Sequence, residues 1–268
     1  MMRRFLKMHG LGNDFVVFDA RAQPLALTTA QVRGLADRHT GIGCDQLIVI
    51  EASDKADAFM RIYNADGGEV EACGNASRCV ATLLGATATI DSAAGILDAA
   101  ATDAAATILY PPPRFGWEDI PLAYAMDTHD MPVGWDELER PIAVNVGNPH
   151  VIFFVPDVDA VPLDVLGPVI EHDALFPARI NVNVAQVVAR DHIRLRVWER
   201  GVGLTRACGT GACATAVAAM RRGLTERNVN VDLPGGRLVI EWRADGQIAM
   251  TGPAATSFSG EVDLDAFA

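Results

Sequence analysis

Two cysteines, Cys73 and Cys208, stand about half a chain length apart in a protein of 268 residues, and each heads the same pattern. The first opens Ala72–Leu84, ACGNASRCVATLL, and the second opens Ala207–Met220, ACGTGACATAVAAM. In both, a Cys-Gly pair and a small polar residue precede a run of small, mostly apolar residues that predicts a buried helix. Thr210 is the expected N-cap of the second helix, and Arg221-Arg222-Gly223 supplies the cations and glycine that suit its end. A sulfur placed there meets the unpaired N–H groups of a first helical turn, where the dipole is expected to lower the thiol pKa. Two thiols with ordinary pKa values of roughly 8.5, tuned downward, could serve as one thiolate and one thiol. Inversion of a carbon stereocentre by proton transfer needs such a base on one face and such an acid on the other. The helix N-termini would hold a substrate carboxylate and stabilise the charge that builds on it.

The elements around the two cysteines follow a repeated order. Arg4–Lys7 and Asp14–Asp19 read as strands flanking the glycine-bearing loop His9-Gly10-Leu11-Gly12-Asn13. Thr28–Arg38 reads as a helix, Leu47–Ile50 as a fully apolar strand, and Phe59–Tyr63 as a strand that delivers the turn Asn64-Ala65-Asp66-Gly67-Gly68. Residues 86–110 are alanine-rich with alternating β-branched positions and predict two or three strands. Pro111-Pro112-Pro113 ends them, and the loop-like stretch to Arg140 reads as a domain boundary. A second series follows: strand Ile142–Val146, loop Gly147-Asn148-Pro149-His150, strand Val151–Val155, a helix near Leu163–His172, and strands Asn183–Val188 and Ile193–Trp198 ending at Glu199-Arg200-Gly201. Each half thus runs strands, an amide-bearing turn, a cysteine at a helix start, and more strands. Two such halves facing each other would form a cleft, where ligands bind by preference.

Composition narrows the function class. Half of the residues are hydrophobic, enough for two domains or one large one. The net charge of −12 is that of a surface that repels phosphate backbones, which argues against nucleic acid as a partner. The longest apolar run, Val151–Val155, is too short for a membrane span, and Met1–Met8 lacks the apolar stretch of a signal peptide. Five cysteines, Cys44, Cys73, Cys79, Cys208 and Cys213, form no disulfide framework and point to free thiols in a reducing cytoplasm. Only Lys7 and Lys55 are lysines, which argues against a pyridoxal Schiff base, and no dinucleotide or P-loop motif is present.

Each of these residues also has a blander reading. A cysteine at a helix start is often plain packing, but two in matched Cys-Gly contexts are harder to explain that way. Cys73/Cys79 and Cys208/Cys213 have the wrong spacing for a zinc site, so no metal is expected. Cys44, Cys79 and Cys213 read as core. His39, His129, His172 and His192 read as surface or packing residues, whereas His150 and the Glu199-Arg200 pair divide evenly between structural and site roles. Asn13, Asn64 and Asn181, taken alone, are ordinary turn residues.

Taken in order, the motifs KMHGLGNDFVV (Lys7–Val17), GCDQL (Gly43–Leu47), YNADG with EVEACGN (Tyr63–Asn75), GNPH (Gly147–His150), RINV (Arg179–Val182), WERG (Trp198–Gly201) and ACGTGACA (Ala207–Ala214) resemble those of the diaminopimelate epimerases. The resemblance covers most of the chain. Ala76-Ser77 and Leu204 depart from the family's usual residues, away from the expected catalytic positions. It implies an α+β fold of two pseudo-symmetric domains, each a barrel-like strand layer around a central helix, with the active site in the interdomain cleft. The domains would be residues 1–118 and 119–255, with a last segment of about 256–268 returning to the first. It further implies cofactor-independent epimerisation of LL-2,6-diaminopimelate to meso-diaminopimelate in lysine and peptidoglycan precursor synthesis, with no partner beyond that small molecule except a homodimer to consider. Cys73 and Cys208 would be the acid–base pair, and Gly74-Asn75 and Gly209-Thr210 would hold the reacting carboxylate. Asn13, Gln46, Asn64, Asn148, Asn181 and Arg200 would line the rest of the pocket, and His150 and Glu199 would assist proton transfer or orient the substrate. Two rival readings are a proline-type racemase of the same fold and a non-catalytic small-molecule binder. The first has no evident use for the second polar end that Asn64, Asn181 and Arg200 would form.

Overall fold

The structure, a computed structural model, describes residues 1–102 and 105–267. Along the chain the elements are β1 (Met2–Gly10), β2 (Asn13–Asp19), α1 (Thr29–Ala36), β3 (Gln46–Glu51), β4 (Ala58–Asn64), β5 (Glu69–Val70), α2 (Gly74–Leu84), β6 (Thr87–Asp91), β7 (Leu97–Ala101) and β8 (Ala105–Tyr110). Next come β9 (Gly134–Trp135), β10 (Leu138–Glu139), β11 (Ile142–Asn145), β12 (Pro149–Phe154), α3 (Leu163–Glu171), β13 (Asn181–Ala189), β14 (His192–Glu199) and β15 (Gly203–Thr205). The series ends with α4 (Gly209–Arg221), β16 (Asn228–Leu233), β17 (Gly236–Trp242), β18 (Ile248–Pro253) and β19 (Ala255–Asp263). The alanine-rich segment after α2 forms three strands; its residues 103 and 104, like residue 268 of the expected returning segment, lie outside the described residues.

The chain divides into two compact units, Met1–Ile108 with Gly252–Ala268, and Leu109–Thr251. In the first, β1 pairs antiparallel with β2, β2 parallel with β3, β3 antiparallel with β4, β4 parallel with β6, and β6 antiparallel with β7. In the second, β11–β12, β12–β13, β13–β14, β14–β16 and β16–β17 repeat that alternation step for step. The first parallel connection in each unit crosses over through a helix, α1 in one and α3 in the other, because parallel neighbours cannot be joined by a tight turn. The second crosses over through α2 or α4. The fold is therefore α+β and mostly sheet, with one topology written twice.

Helices α2 and α4 are the central elements. Helix α4 packs against β11, β12, β13, β14, β16 and β17, and every residue from Gly211 to Ala219 is buried. A helix buried at consecutive positions has no solvent face, so its residues must be small enough for strands to close in on all sides. Helix α2 packs against β1, β4, β6 and β7 and buries Asn75 to Ala81. Cys79 and Cys213 sit fully buried in these helices, and Cys44 is buried in the loop before β3, as their core reading required.

The outer helices close the opposite sheet faces. In the first unit Val32, Leu35 and Ala36 of α1 pack with Val16, Phe18, Leu47 and Val49. All four residues Phe15–Phe18 are buried, as expected of a strand covered on both faces. Helix α1 starts at a capping box, in which the Thr28 hydroxyl accepts from Gln31 N at 3.2 Å and Gln31 Oε1 accepts from Thr28 N at 3.0 Å. In the second unit Leu163, Leu166 and Ile170 of α3 pack with Val151, Phe153, Val182 and Val184, and Trp198 leans on the cluster.

Trp198 is held closely. Its indole Nε1 donates to Glu171 Oε2 at 2.7 Å, and a Cβ added at Gly167 would lie 2.5 Å from the ring. Glycine is thus needed at 167 for a close approach, not for backbone freedom. Gly167→Ala is expected to destabilise the protein by about 1–3 kcal/mol through overpacking. Urea denaturation measures this, and an unchanged midpoint would show that α3 can shift away from Trp198 without cost.

Candidate active site

The first half-site is built at the start of α2. Cys73 has extended backbone at the N-cap position, and Gly74 is the first helical residue. Opposite lies the β1–β2 hairpin, whose two turn residues Leu11 and Gly12 have φ of 56° and 84°, the left-handed pair that a two-residue hairpin favours. Asn13 follows that turn. Its Oδ1 accepts from Asn75 Nδ2 at 3.1 Å and from the Cys73 thiol at 3.8 Å, and its Nδ2 donates to Asp45 Oδ2 at 2.9 Å. A Cβ at Gly10 would lie 2.9 Å from the Arg78 guanidinium, so the hairpin approaches α2 at a residue without a side chain. Arg78 is fully buried and donates to Asn75 Oδ1 at 2.8 Å. At adjacent strand ends, Gln46 Nε2 donates to Asn64 Oδ1 at 3.0 Å, and the buried Gln46 Oε1 has no hydrogen-bond partner among the described residues.

The second half-site is built at the start of α4. The N-cap is Cys208 itself, not Thr210 as expected, and its sulfur accepts from Gly211 N at 3.4 Å. Thr210 lies within the first turn, with its hydroxyl 3.6 Å from the sulfur. Gly209 is the first helical residue, and a Cβ at Gly211 would lie 3.2 Å from the sulfur and 2.9 Å from Asn183 Oδ1. Glu199, the last residue of β14, lies beside Cys208 and accepts from the Thr205 hydroxyl at 2.5 Å. Burial raises the Glu199 carboxyl above its ordinary pKa.

The expected lowering of the thiol pKa does not hold for Cys208. Only 4% of the residue is exposed, and burial, followed by the neighbouring Glu199 charge, raises its pKa well above 9.0. The hydrogen bonds from Thr210 and Gly211 act in the opposite direction but are outweighed. Dehydration can move a buried group by about 3–5 pKa units, whereas a helix end contributes about 0.3–1 kcal/mol, less than one unit. Cys208 is therefore a thiol in the ligand-free protein. Cys44 and Cys79 are likewise raised by burial, to about 11 and about 12.

His150, Asn148 and Asn181 belong to the second unit's loop and strand starts. His150 is fully buried, and burial depresses its pKa to about 3. It lies between Asn148 Oδ1, 3.0 Å from Nε2, and Asn183 Nδ2, 3.1 Å from Nδ1. Asn183 Nδ2 also donates to Val151 O at 3.2 Å, which fixes that amide, so Nδ1 accepts and Nε2–H donates to Asn148. Asn181 Nδ2 donates to Pro149 O at 2.8 Å, and its Oδ1 accepts from Arg200 N at 3.0 Å. Arg200 Nη1 donates to Ala178 O at 3.0 Å, while Glu171, 2% exposed, accepts from Gly201 N at 2.8 Å. Thus the Glu199-Arg200-Gly201 turn is tied down from β13 and from α3.

Several of these residues were not singled out from sequence. Asp45 lies in GCDQL between two residues that were singled out or considered. Thr205 lies two residues along β15 from Gly203, the partner of Glu199, and Asn183 lies two residues along β13 from Asn181, so the two-residue period of a strand was the signal that could have found Asn183. Glu171 carried no local signal. Lys7, expected ahead of a loop, is buried in β1, where its Nζ pairs with Asp14 at 2.5 Å and also donates to Gly43 O. Among the described residues, no group of three or more His, Cys, Asp or Glu could hold a metal ion, and no helix is long and apolar enough to cross a membrane.

A family model described as diaminopimelate epimerase matches residues 5–110 and 142–257. The chain belongs to the diaminopimelate epimerase family. Curated members include the diaminopimelate epimerase of Rhizorhabdus wittichii, 64% identical over 100% of this chain and 98% of that protein, and that of Erythrobacter litoralis, 65% identical over 97% of each. Among solved structures, a phenazine biosynthesis protein of the PhzF family from Enterococcus faecalis aligns with TM-score 0.74 and 14% identity over 98% of this chain and 100% of its own. A hydroxyproline epimerase from Agrobacterium vitis aligns with TM-score 0.68 and 16% identity over 98% and 93%. At such identities these two structures speak for the fold alone.

A neutral buried histidine leaves a mark on stability. The unfolded chain protonates His150 near its ordinary 6.5 and the folded chain only near 3. The stability held by the neutral ring is therefore complete above about pH 6.5 and is lost progressively as pH falls towards 3. His150→Gln removes this titration. The stability gap between wild type and variant, measured by denaturant unfolding at stepped pH, should shift against the wild type as pH falls through that window. A pH-independent gap would show that His150 titrates normally.

Proposed function

We propose that this protein interconverts LL- and meso-2,6-diaminopimelate without a cofactor, with Cys73 and Cys208 acting as the acid–base pair on opposite faces of one α-carbon. The observation that carries this reading is the repetition of a thiol at the N-cap position of a buried central helix, each beside its own polar partner. Membership of the family over nearly the whole chain supports the substrate.

In this mechanism one sulfur, as thiolate, takes the α-proton and becomes a thiol. The electron pair of the broken C–H bond moves into the carboxylate, and the opposite thiol returns a proton to the other face, becoming a thiolate. The N–H groups at the starts of α2 and α4, with Gly74-Asn75 and Gly209-Thr210, hold that carboxylate as its charge grows. Glu199 is the group able to receive the Cys208 proton. Neutral His150 holds Asn148 in place. Asn13, Gln46, Asn64, Asn181 and Arg200 serve the remaining carboxylate and ammonium groups, and the partnerless Gln46 Oε1 would accept from an ammonium. The reaction would serve lysine and peptidoglycan precursor synthesis in the cytoplasm, where the five cysteines would stay reduced.

Deuterium should enter one α-carbon of diaminopimelate in heavy water, with inversion. Cys73→Ala and Cys208→Ala should each lower epimerisation by at least about a hundredfold, the lower range of what a positioned acid or base supplies. Cys79→Ala and Cys213→Ala should mainly reduce stability. A coupled assay with mass spectrometry reads both outcomes. Near-normal turnover in either of the first two variants would sink the two-thiol mechanism, and binding without deuterium exchange would favour a non-catalytic binder.

A further inference from the structure

The hydrogen bonds around Cys73 have a direction that two charged groups impose from opposite ends. Arg78 is a donor only, so the Asn75 atom 2.8 Å from it is the amide oxygen, and the Asn75 amide nitrogen faces Asn13. At the other end the Asp45 carboxylate is an acceptor only. It accepts from Asn13 Nδ2 at 2.9 Å and from Asp14 N at 3.1 Å, while its other oxygen accepts from Arg38 at 2.6 Å. From both sides, therefore, the Asn13 amide has one consistent orientation, oxygen towards Asn75 and Cys73, nitrogen towards Asp45. An amide oxygen 3.8 Å from the sulfur can accept from S–H and would repel a thiolate, whereas an amide NH2 there would favour the thiolate.

We propose that Asp45 is a positioning residue for Cys73: by holding the Asn13 nitrogen it turns the Asn13 oxygen onto the thiol, so that Cys73 rests protonated as the acid of the pair. The assignment of Cys73 as an acid–base group rests on the proposed function above; the amide geometry does not. Asp45 touches no reacting atom in this scheme. It acts through Asn13, and Arg38 acts through Asp45.

The test uses a substitution that releases one end of the amide chain. In Asp45→Asn one oxygen replaces the two that now serve Arg38, Asp14 N and Asn13. With that oxygen on Arg38 the new NH2 group faces Asn13 and releases its nitrogen, so that only Asn75 still holds the Asn13 oxygen towards Cys73. The thiolate is the form that alkylates. Labelling of Cys73 by iodoacetamide at neutral pH, followed by peptide mass spectrometry, should accelerate by about five- to tenfold, the worth of one hydrogen bond. Cys208 labelling should not change, and kcat for diaminopimelate epimerisation should fall. Adding Arg38→Met to Asp45→Asn releases the new amide's oxygen to turn to Asn13, so the double variant should move both readouts back towards wild type. A merely structural loss would deepen with the second substitution instead. Half of the Asp45 side chain is exposed, so folding is expected to survive, and thermal unfolding of each variant checks it. Unchanged Cys73 labelling in Asp45→Asn, equal acceleration at Cys208, or no recovery in the double variant would each overturn the proposal. Full epimerisation by Cys73→Ala would instead remove the acid–base reading and leave the labelling result standing.

Discussion

The second unit depends on burying the N-terminus of a helix, α4, that has no solvent face from Gly211 to Ala219. Its first-turn N–H groups cannot turn to water, and leaving one unmet costs about 1–3 kcal/mol. In α4 the answer is a sulfur, which accepts from Gly211 N at 3.4 Å. Sulfur is a weak acceptor, so the helix start stays short of negative charge, which is the property an anion site needs. The small residues follow from the same constraint. A side chain at Gly211 would press on Cys208 and Asn183, and any large residue between Gly211 and Ala219 would push strands apart. The glycine- and alanine-rich sequence of α4 is the cost of a surrounded helix.

Burial also decides the protonation states, and it reverses the simplest expectation. A helix dipole and a first-turn N–H favour thiolate, but a dehydrated sulfur beside a carboxylate favours thiol, and the second effect is the larger. The same dehydration keeps His150 neutral and raises Glu199. Glu199 lies beside Cys208, and His150 is a fixed donor to Asn148.

Much of this was legible in the sequence because the informative features are local. Cys-Gly at a helix start, glycine-asparagine after a strand, and apolar strands of four to six residues each leave short-range patterns, and the repeat makes them legible twice. What escaped detection is long-range. Whether Thr210 or Cys208 caps α4 depends on a small difference in where the helix begins, which propensity does not fix. The pairing of Thr205 with Glu199 needs the register of β14 and β15, in which Glu199 faces Gly203. The support that Glu171 gives to Gly201 crosses from a helix to a turn 30 residues away. The sign of the Cys208 shift depends on a degree of burial that no local pattern encodes.

The repeat is most informative where it breaks. Gln46 opens β3 and Asn181 opens β13, while Asn64 closes β4 and Glu199 closes β14, so matched strand ends carry amides in one unit and an amide with a carboxylate in the other. The sulfurs also differ in their partners, through Asn13 on one side and Glu199 on the other. Cys73 meets an amide oxygen, which can hold a thiol's proton in place but cannot take it away. Cys208 meets the carboxylate of Glu199, whose raised pKa brings it closer to accepting a thiol's proton. Identical neighbours would give the two thiols identical tendencies, and a pair with identical tendencies has no preferred acid and no preferred base. Under the proposed mechanism the repeated scaffold supplies the symmetry that proton transfer at two faces needs, and the different partners of the two sulfurs, the Asn13 amide and the Glu199 carboxylate, supply the inequality.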